Sequence, residues 1–336
     1  MRILLTTTYI FLSIIILAQD FAPPVGFAGT TAIHKDSSIF IDWAKTAQIT
    51  RGYIKISDTT ITYEGDNFAS FGTATSAIGK ADGIDCVSLG DKGEAILTFD
   101  PPIANGEGYD FAVFENGFFN PPNSEMAFLE LAFVEVSSDG ENFIRFPAIS
   151  QTDFSEQLNA FATINCRNIY NLAGKYTVNY GTPFDLDILQ SENTESKINL
   201  NRITHIKLKD VGGSTNNEFA SYDSENNIIN DPFPTPYNSS GFDLDAVGVI
   251  NNTISENIKI KDFVVYPNPF FDEINIYSEE KIVKKIEVYD ILGKLIFFKE
   301  ENNLSLKINL SILQKGIYTL LIKTEDQVYC YKIIKS

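Results

Sequence analysis

Residues 129–146, LELAFVEVSSDGENFIRF, indicate the fold class of the N-terminal part of the chain. Over 129–137 both alternating faces are mostly apolar, which predicts a strand in the interior of a sheet. Asp139 and Gly140 then supply a hairpin turn, since this pair tolerates the positive φ angles that tight turns need. A second strand is expected at 143–146. The segment therefore predicts an antiparallel hairpin within a β-sheet.

Short apolar runs recur throughout 19–250, and helical periodicity is nearly absent. Glycine, proline, asparagine and aspartate separate these runs, which predicts long loops. The chain is therefore expected to be all-β, with an elaborated β-sandwich followed by a smaller one. Strands are predicted at 54–56, 61–63, 95–99, 111–114, 129–137, 143–146, 203–208 and 242–250.

Two resemblances concern residues 19–250. The segment VEVSSDGENFIRF (134–146) resembles the strand-turn-strand of discoidin-like and galactose-binding-like jelly rolls, which implies a jelly-roll-like sandwich. A larger set resembles uncharacterised bacterial secreted or cell-surface proteins, and that resemblance implies no activity. Its segments are VSLGDKGEAILTFD (87–100), DFAVFEN (110–116), LELAFVEVSSDG (129–140), NLAGKY (171–176), YGTPFDL (180–186), DPFPTP (231–236) and GFDLDAVGV (241–249).

The last 80 residues differ in composition from the rest of the chain. Residues 257–336 hold 12 lysines, no arginine and 11 acids, whereas the preceding residues hold 14 basic and 33 acidic side chains. Alternating runs from FVVYPNPF (263–270) to VYCYKIIKS (328–336) predict about six or seven strands in a small sandwich. Gly293 is expected in a tight turn and Gly316 at the start of a strand. We place a linker at 251–262 and the second domain at 263–336.

Several signals in the second domain resemble the C-terminal sorting domain of the bacterial type IX secretion system. The resemblance implies an Ig-like β-sandwich, with the type IX machinery as partner. It also implies passage through the periplasm and across the outer membrane, followed by release or attachment at the cell surface. The matching residues are Tyr266, Pro267, Asn268 and Pro269, Tyr289 and Asp290 with Gly293 and Lys294, Leu310 with Gly316, Ile317 and Tyr318, and Lys332 and Lys335 in KIIK.

The N-terminus has the order of a secretory signal. Arg2 precedes an apolar run at 3–17, and Ala18 ends that run before polar residues. We predict a cleaved signal peptide at 1–18, since about 15 apolar residues are fewer than the roughly 20 that a spanning helix needs. No transmembrane segment is expected after cleavage. Export permits a disulfide between Cys86 and Cys166, although free buried cysteines are also common.

Composition narrows the classes of partner. The chain is 44% hydrophobic with a formal net charge of −18, so it has enough apolar side chains for a sizeable core. The surplus of negative charge argues against a nucleic-acid backbone or an anionic lipid surface as partner. We expect an acidic folded protein that binds neither.

Two carboxylates extend an apolar stripe in GFDLDAVGV (241–249). A period of two places them on the face of Val247 and Val249, where uncompensated burial would be costly. Calcium takes about six to eight oxygen ligands, and the resemblance to jelly rolls implies a structural calcium. The alternative is a solvated acidic rim. The expected ligands are Asp243, Asp245, Glu115, Asn116 and Asp110, with Asp82 and Asp85 as further donors.

Aromatic side chains in loop-like stretches predict the rim of a ligand site, because their flat apolar faces suit sugar rings. We predict an extracellular ligand, with a glycan as the first candidate. The alternative for each aromatic side chain is a place in the core. The predicted residues are Phe118, Phe119, Tyr180, Phe233 and Tyr237.

Signals for catalysis are weak. His34 and His205 are the only histidines, and His205 is expected to face solvent. Nucleophile-elbow, phosphate-loop and zinc-ligand spacings are all missing from the sequence. The prediction is a secreted or surface-attached binding protein. A carboxylate-based polysaccharide hydrolase or lyase and a structural adhesion or coat protein remain open.

Overall fold

The computed structural model describes residues 21–120, 124–193, 197–253, 263–278, 281–291, 293–325 and 327–336. The predicted signal peptide at 1–18 and most of the predicted linker lie outside these ranges. The described residues form two compact units, one within 1–256 and one within 257–336. The longest helical element in them has five residues, so the all-β prediction is confirmed. None of their helices is long and apolar enough to cross a membrane.

The N-terminal unit contains sixteen strands and four short 3₁₀ turns in the described ranges. The strands are β1 (Ile33–His34), β2 (Asp42–Trp43), β3 (Thr46–Thr50), β4 (Val87–Ser88), β5 (Glu94–Ile103), β6 (Phe111–Glu115), β7 (Phe118–Phe119), β8 (Met126–Phe128), β9 (Ala132–Ser137), β10 (Ile144–Arg145), β11 (Ile149–Ser150), β12 (Ile164–Asn165), β13 (Ile169–Tyr170), β14 (Tyr180–Phe184), β15 (Ile203–Asp210) and β16 (Asp243–Val249). The 3₁₀ turns are Ala74–Ala77, Cys166–Asn168, Leu186–Gln190 and Leu200–Arg202.

Two large antiparallel sheets share the core of this unit. One has the order β1-β14-β6-β16-β2 with β4 beside β16, and the other has the order β10-β9-β15-β5-β3. A single apolar cluster includes Val113 and Val247 from the first sheet and Val134 and Ile206 from the second. This shared core is typical of a β-sandwich. Smaller sheets, β11-β13 and β12-β8-β7, lie outside the two large ones.

The predicted hairpin is present. Ile144 pairs with Val136 across β9 and β10, and Gly140 in the turn has a φ of +80°. Strand β9 also pairs with β15, so it lies in the interior of its sheet as predicted, although it begins only at Ala132.

The strands predicted at 54–56 and 61–63 are wrong. Only isolated bridges form there, from Tyr53 to Phe68 and Asp91 and from Tyr63 to Asp66. The second run reverses direction at once, because Glu64 and Gly65 both have positive φ angles. A tight turn therefore ends the apolar alternation before a strand can pair.

The C-terminal unit is a seven-stranded sandwich in the described residues. The strands are β17 (Val264–Tyr266), β18 (Glu273–Tyr277), β19 (Val283–Tyr289), β20 (Leu295–Asn303), β21 (Ser305–Asn309), β22 (Gly316–Lys323) and β23 (Val328–Lys335). The two sheets have the orders β17-β18-β21 and β20-β19-β22-β23. Ile274 and Ile276 from the first sheet pack in one cluster with Val288 and Leu320 from the second. Gly293 lies between β19 and β20 with a φ of +79°, and Gly316 begins β22, as predicted.

The two ends of the C-terminal unit meet at Asn268. Its Nδ2 donates to the carbonyl of Lys332 at 2.8 Å, a residue 64 positions away, and its Oδ1 accepts the N–H of Ile334 at 2.9 Å. The Nζ of Lys335 lies 2.9 Å from the carboxylate of Asp272. The YPNP segment (266–269) is therefore connected to β23 by hydrogen bonds between the side chain of Asn268 and the backbone of that strand.

Candidate functional site

A cleft of about 220 Å³ opens on the N-terminal unit, and we call it the aromatic-acid cleft. Its walls come from the loop after β6, from strands β7 and β8, from the segment that joins β8 to β9, and from the first residue of β16. Two further loops, around Phe161 and around Tyr237, complete it. The lining residues are Asn116, Phe118, Phe128, Glu130, Ala160, Phe161, Thr235, Tyr237, Ser239 and Asp243.

A row of aromatic rings lines the cleft. Phe118 stacks on Phe128 with ring centroids 5.2 Å apart, and Phe128 lies 6.3 Å from Phe161. Phe161 in turn lies 6.0 Å from Tyr237, whose ring is 6.2 Å from Tyr63. Phe118, Phe161 and Tyr237 are all exposed. Since soluble proteins rarely leave contiguous aromatic surface uncovered, this row indicates a contact surface for a ligand.

Asp243 forms part of the polar floor. Its carboxylate accepts hydrogen bonds from the hydroxyl of Ser88 and, at 3.0 Å, from the Nδ2 of Asn116. Burial raises the pKa of Asp243 to about 6, and those two hydrogen bonds oppose the rise. At neutral pH the floor therefore carries a carboxylate that is oriented by two neighbours.

Glu130 lies in the floor with unused hydrogen-bonding capacity. It is only 4% exposed, and its side chain makes no hydrogen bond or ion pair within the described part of the chain. Burial, with the charges of Asp243 and Glu115, raises the pKa of Glu130 well above its usual value. A buried carboxyl group without a partner is costly, and a ligand that pairs with it would remove that cost.

Glu115 lies next to these groups at the end of β6. Its Oε2 accepts the N–H of Gly117 at 2.8 Å, while its buried Oε1 has no partner among the described residues. Burial and the charge of Asp243 raise the pKa of Glu115 well above its usual value. The region of the cleft therefore contains three interacting acids, and at least two of them have oxygens without hydrogen-bond partners.

The structure places Asp243 and Asp245 on the face opposite Leu244, whereas the sequence predicted the face of Val247 and Val249. A register shift between Leu244 and Ala246 interrupts the pairing of β16 with β6. Leu244 consequently shares the core cluster with Val247 and Val249, so the predicted alternation is wrong there. Asp245 instead accepts the N–H groups of Asp82 and Gly83 at 3.3 and 3.1 Å.

Asp110 also lies away from the cleft. It precedes β6, whereas Glu115 ends that strand, so about 17 Å of extended chain separates the two. The carboxylate of Asp110 accepts the N–H groups of Gly106 at 2.7 Å and Leu186 at 2.8 Å, together with the Nδ2 of Asn251 at 2.9 Å. Burial raises its pKa to about 6. Asp110 therefore organises loops at the opposite end of the strand.

The five predicted calcium ligands thus do not converge on one point. Within the described ranges, no group of three or more His, Cys, Asp or Glu side chains is arranged to hold a metal ion. Asn116 also turns its Nδ2, a donor, toward Asp243. These donor sets do not fit a calcium cage, and we derive no step through calcium.

Of the predicted aromatic residues, Phe118 and Tyr237 line the cleft and three do not. Phe119 and Tyr180 pack against a second apolar cluster, and Phe233 is buried. Sequence reasoning missed Phe128, Phe161 and Glu130. Phe128 lies in a strand, Glu130 lies between two strands and Phe161 lies in a loop, and none of these stretches has a sequence pattern that marks a binding site. Only the folded structure shows that the three residues line one cleft.

Of the two alternatives for Cys86 and Cys166, a disulfide or free buried thiols, the structure shows free thiols. Cys86 and Cys166 are both buried free thiols, and Cys330 is exposed. The thiol of Cys86 accepts a hydrogen bond from the Nδ2 of Asn116 at 3.4 Å, whereas Cys166 belongs to a separate apolar cluster. Both behave as small core residues.

Comparison with known families concerns the second unit. Residues 264–336 match the family described as the secretion system C-terminal sorting domain. These residues form a type IX sorting domain. The sorting domain indicates that the protein crosses the outer membrane and is either attached to the cell surface or secreted, with the type IX machinery as a partner. The predicted Ig-like sorting domain and the predicted localisation are thereby confirmed.

No curated protein matches the chain. Among solved structures, PorZ, a surface component of the type IX system of Porphyromonas gingivalis, is 12% identical with a TM-score of 0.20, over 80% of this chain and 32% of that one. The BSP domain of a biofilm-associated protein is 11% identical with a TM-score of 0.18, over 88% and 52%. The chain thus spans about a third of the first protein and half of the second, and similarities this low indicate no activity.

Proposed function

We propose that the N-terminal unit is a carbohydrate-binding module of a surface-attached or secreted protein, and that the aromatic-acid cleft receives the sugar. The supporting observation is the row of exposed aromatic rings beside the buried carboxyl group of Glu130, which has no hydrogen-bond partner among the described residues. A sugar ring presents apolar C–H faces and a polar edge of hydroxyl groups. The rim and the floor of the cleft offer the matching surfaces.

The protonation of the floor suits hydroxyl groups. Burial raises the pKa of Glu130 well above its usual value and so favours its neutral carboxyl form, which both donates and accepts. Sugar hydroxyls likewise donate and accept. Asp243 adds an acceptor oriented by Asn116. The floor can therefore pair with hydroxyls in either direction.

The size of the cleft favours a short stretch of glycan. At about 220 Å³ it lies below the roughly 300 Å³ at which pockets for small molecules begin. We therefore expect it to receive one sugar residue of a longer chain, with the flanking residues lying across Phe118 and Tyr237.

The test is binding of the purified protein to a panel of immobilised oligosaccharides. Phe118→Ala and Tyr237→Ala should each weaken binding at least about tenfold, since each removes a stacking face. Phe154→Ala is the matched control for the first, because Phe154 is 47% exposed and Phe118 is 49% exposed. Tyr222→Ala, at a comparably exposed tyrosine outside the cleft, is the control for the second.

Failure of every oligosaccharide to bind would overturn the proposal and favour the structural adhesion or coat alternative. Unchanged binding in both Phe118→Ala and Tyr237→Ala would show that the sugar binds outside the cleft. Each measurement is repeated in chelator and in added calcium. Sugar binding that requires added calcium would support the calcium site predicted from the sequence.

A hydrolase is the second candidate, since Glu130 with its raised pKa lines the same cleft as Asp243. Release of reducing ends from the bound oligosaccharide, abolished by Glu130→Gln, would establish catalysis. Binding without release would leave the module non-catalytic.

A further inference from the structure

A second cavity of about 390 Å³ lies in the N-terminal unit and shares no residue with the aromatic-acid cleft. We call it the lysine cavity, because the side chain of Lys175 lines it. Thr182, in the middle of β14, and Asp185, just after that strand, line the same cavity, as do Phe21, Tyr109 and Tyr170. Its volume lies within the range of pockets that hold small organic ligands.

Lys175 is a buried cation without an acidic partner. Its side chain is 5% exposed, and within the described ranges it forms no ion pair. Its Nζ donates one hydrogen bond, to the carbonyl of Ile169 at 2.7 Å, and lies 5.9 and 5.7 Å from the ring centroids of Phe21 and Tyr176. An ammonium has three N–H donors, so two remain for a ligand. Burial lowers the pKa of Lys175 to about 8, which leaves it mostly charged at neutral pH.

Thr182 provides a second, independent observation. It is 4% exposed, and its Oγ1 is buried without any hydrogen-bond partner in the described residues. Most buried hydroxyl groups in proteins are paired, so an unpaired one needs an explanation. Within the described residues, the cavity thus combines a buried cation that has no acidic partner with a buried hydroxyl that has no hydrogen-bond partner.

We propose that the lysine cavity binds the carboxylate group of a small organic acid. A carboxylate has two acceptor oxygens, which match the free N–H groups of Lys175 and the O–H of Thr182. Binding would supply the missing counter-charge to the ammonium, whose burial alone is costly. The proposal is independent of the carbohydrate proposal, because it uses none of the residues of the cleft.

The charges of the cavity favour a ligand with a single negative charge. Asp185 also lines the cavity, and its carboxylate already accepts the N–H of Asp187 at 2.9 Å. Lys175 is the only cation among the described residues that line the cavity, so one negative charge on the ligand balances it, whereas the second charge of a dianion such as a phosphate monoester would be unbalanced and repelled by Asp185. The formal net charge of −18 further disfavours multiply charged anions.

The remaining wall favours a ring attached to the carboxylate. Phe21 and Tyr170 stack with centroids 5.1 Å apart, and both line the cavity. An aromatic acid and a uronic acid both combine a carboxylate with a ring that such a wall can cover. The probes are therefore benzoate and glucuronate, with neutral benzamide and glucose as their counterparts.

The experiment follows thermal unfolding of the whole protein through Trp43, the only tryptophan. A ligand that binds only the folded state raises the midpoint in a saturable way. We expect at least one carboxylate to do so and neither neutral counterpart. A rise with benzoate alone indicates an aromatic acid, and a rise with glucuronate alone indicates a uronic acid. No rise with either acid, or an equal rise with the neutral compound, would overturn the proposal.

Two variants locate the effect. Lys175→Met keeps the length of the side chain and removes its charge, and Thr182→Val keeps the shape and removes the hydroxyl. Each should weaken carboxylate binding at least tenfold, while Lys80→Met at the surface should leave it unchanged. Unchanged binding in Lys175→Met would refute the site. Should that variant fail to fold, Thr182→Val decides, and unchanged binding there would refute it equally.

Discussion

The two units of this protein are both antiparallel β structures, yet they place their acidic side chains in opposite environments. The N-terminal unit contains buried carboxyl groups whose pKa is raised, and burial is the largest cause of the rise in each of them. They are Asp91, Asp110, Glu115, Glu130, Asp210, Asp231, Asp243 and Asp245. Most accept backbone N–H groups of loops, as Asp210 does from Lys92 and Phe242, both at 2.9 Å.

In the sorting domain the buried acid Glu287 is paired with lysines instead. Glu287 contacts Lys285 of its own strand β19 at 2.8 Å and Lys323 of the adjacent strand β22 at 2.9 Å, and it accepts the hydroxyl of Tyr289 at 2.9 Å. These contacts lower the pKa of Glu287 to about 2, and the hydrogen bond with Lys285 contributes most to that shift. Where a loop must be held, the chain uses a buried acid and backbone N–H groups. Ion pairs such as that between Glu287 and Lys323 instead connect neighbouring strands.

The largest expected effect is the loss of the sorting domain. Deleting 328–336 removes β23, whose Ile333 is fully buried and whose backbone holds Asn268. We expect the protein to accumulate in the periplasm with the unfolding transition of Trp43 unchanged, as measured by fractionation and fluorescence. Val328→Ala, at an exposed position of the same strand, should be exported normally. Surface delivery of the truncated protein would contradict the assignment.

The second prediction concerns pH. The pKa values of Asp91, Asp210 and Asp243 are raised to about 7, 6 and 6, so the folded N-terminal unit binds more protons than the unfolded chain between about pH 4 and 7. Stability should therefore rise as pH falls through that window, by about 1.4 kcal/mol for each pKa unit of each group. Unfolding monitored by the fluorescence of Trp43 at each pH measures this change in stability.

Asp243→Asn is the matched variant for that experiment, since it removes one of the titrating groups and keeps the shape of the side chain. It should flatten the dependence on pH. An N-terminal unit whose stability falls between pH 7 and 5 would show that the buried acids do not titrate as described.

The third prediction concerns the ion pairs of the sorting domain. Glu287→Gln should destabilise that unit by about 1–3 kcal/mol at neutral pH, because charge-assisted bonds to Lys285 and Lys323 are lost. The lowered pKa means that this stabilisation is present above about pH 4.5 and disappears as pH falls toward 2. Amide exchange in β19 and β22 measures it. Glu273→Gln, in the exposed pair with Lys307, should cost no more than about 1 kcal/mol.

The smallest effect is expected at Asn268. Asn268→Ala removes two hydrogen bonds to β23 and should cost about 1 kcal/mol or slightly more. Faster amide exchange at Ile334 is the measurement. Asn303→Ala, on the edge strand β20, should leave that amide unchanged, and equal exchange in the two variants would show that Asn268 does not hold β23.

Prediction from sequence succeeded where local pattern decides structure. The strands predicted at 203–208 and 242–250 match β15 and β16 to within two residues, because each carries a sustained run of strand-forming residues. The strands Ile33–His34 and Asp42–Trp43 are too short to show alternation. Whether a run such as 61–63 pairs depends on the turn that follows it.

The candidate site was predictable only in part. Asn116 and Phe118 were found because they follow a buried strand, and Asp243 because it interrupts an apolar one. Glu130 resembles any polar residue of a half-buried strand, and Phe161 lies in a loop without pattern. Their place in the cleft depends on long-range packing of the small β7-β8-β12 sheet, which no local signal encodes.

The buried carboxylates have a consequence for proteolysis. A protease needs an extended segment whose backbone is free to enter its active site, and long loops normally provide one. The loops near Gly106, Leu131 and Leu186 are held by N–H bonds to Asp110 and Asp231. We therefore expect limited proteolysis at neutral pH to spare these loops, so that a protein exposed outside the cell keeps long connections without becoming easy to cleave.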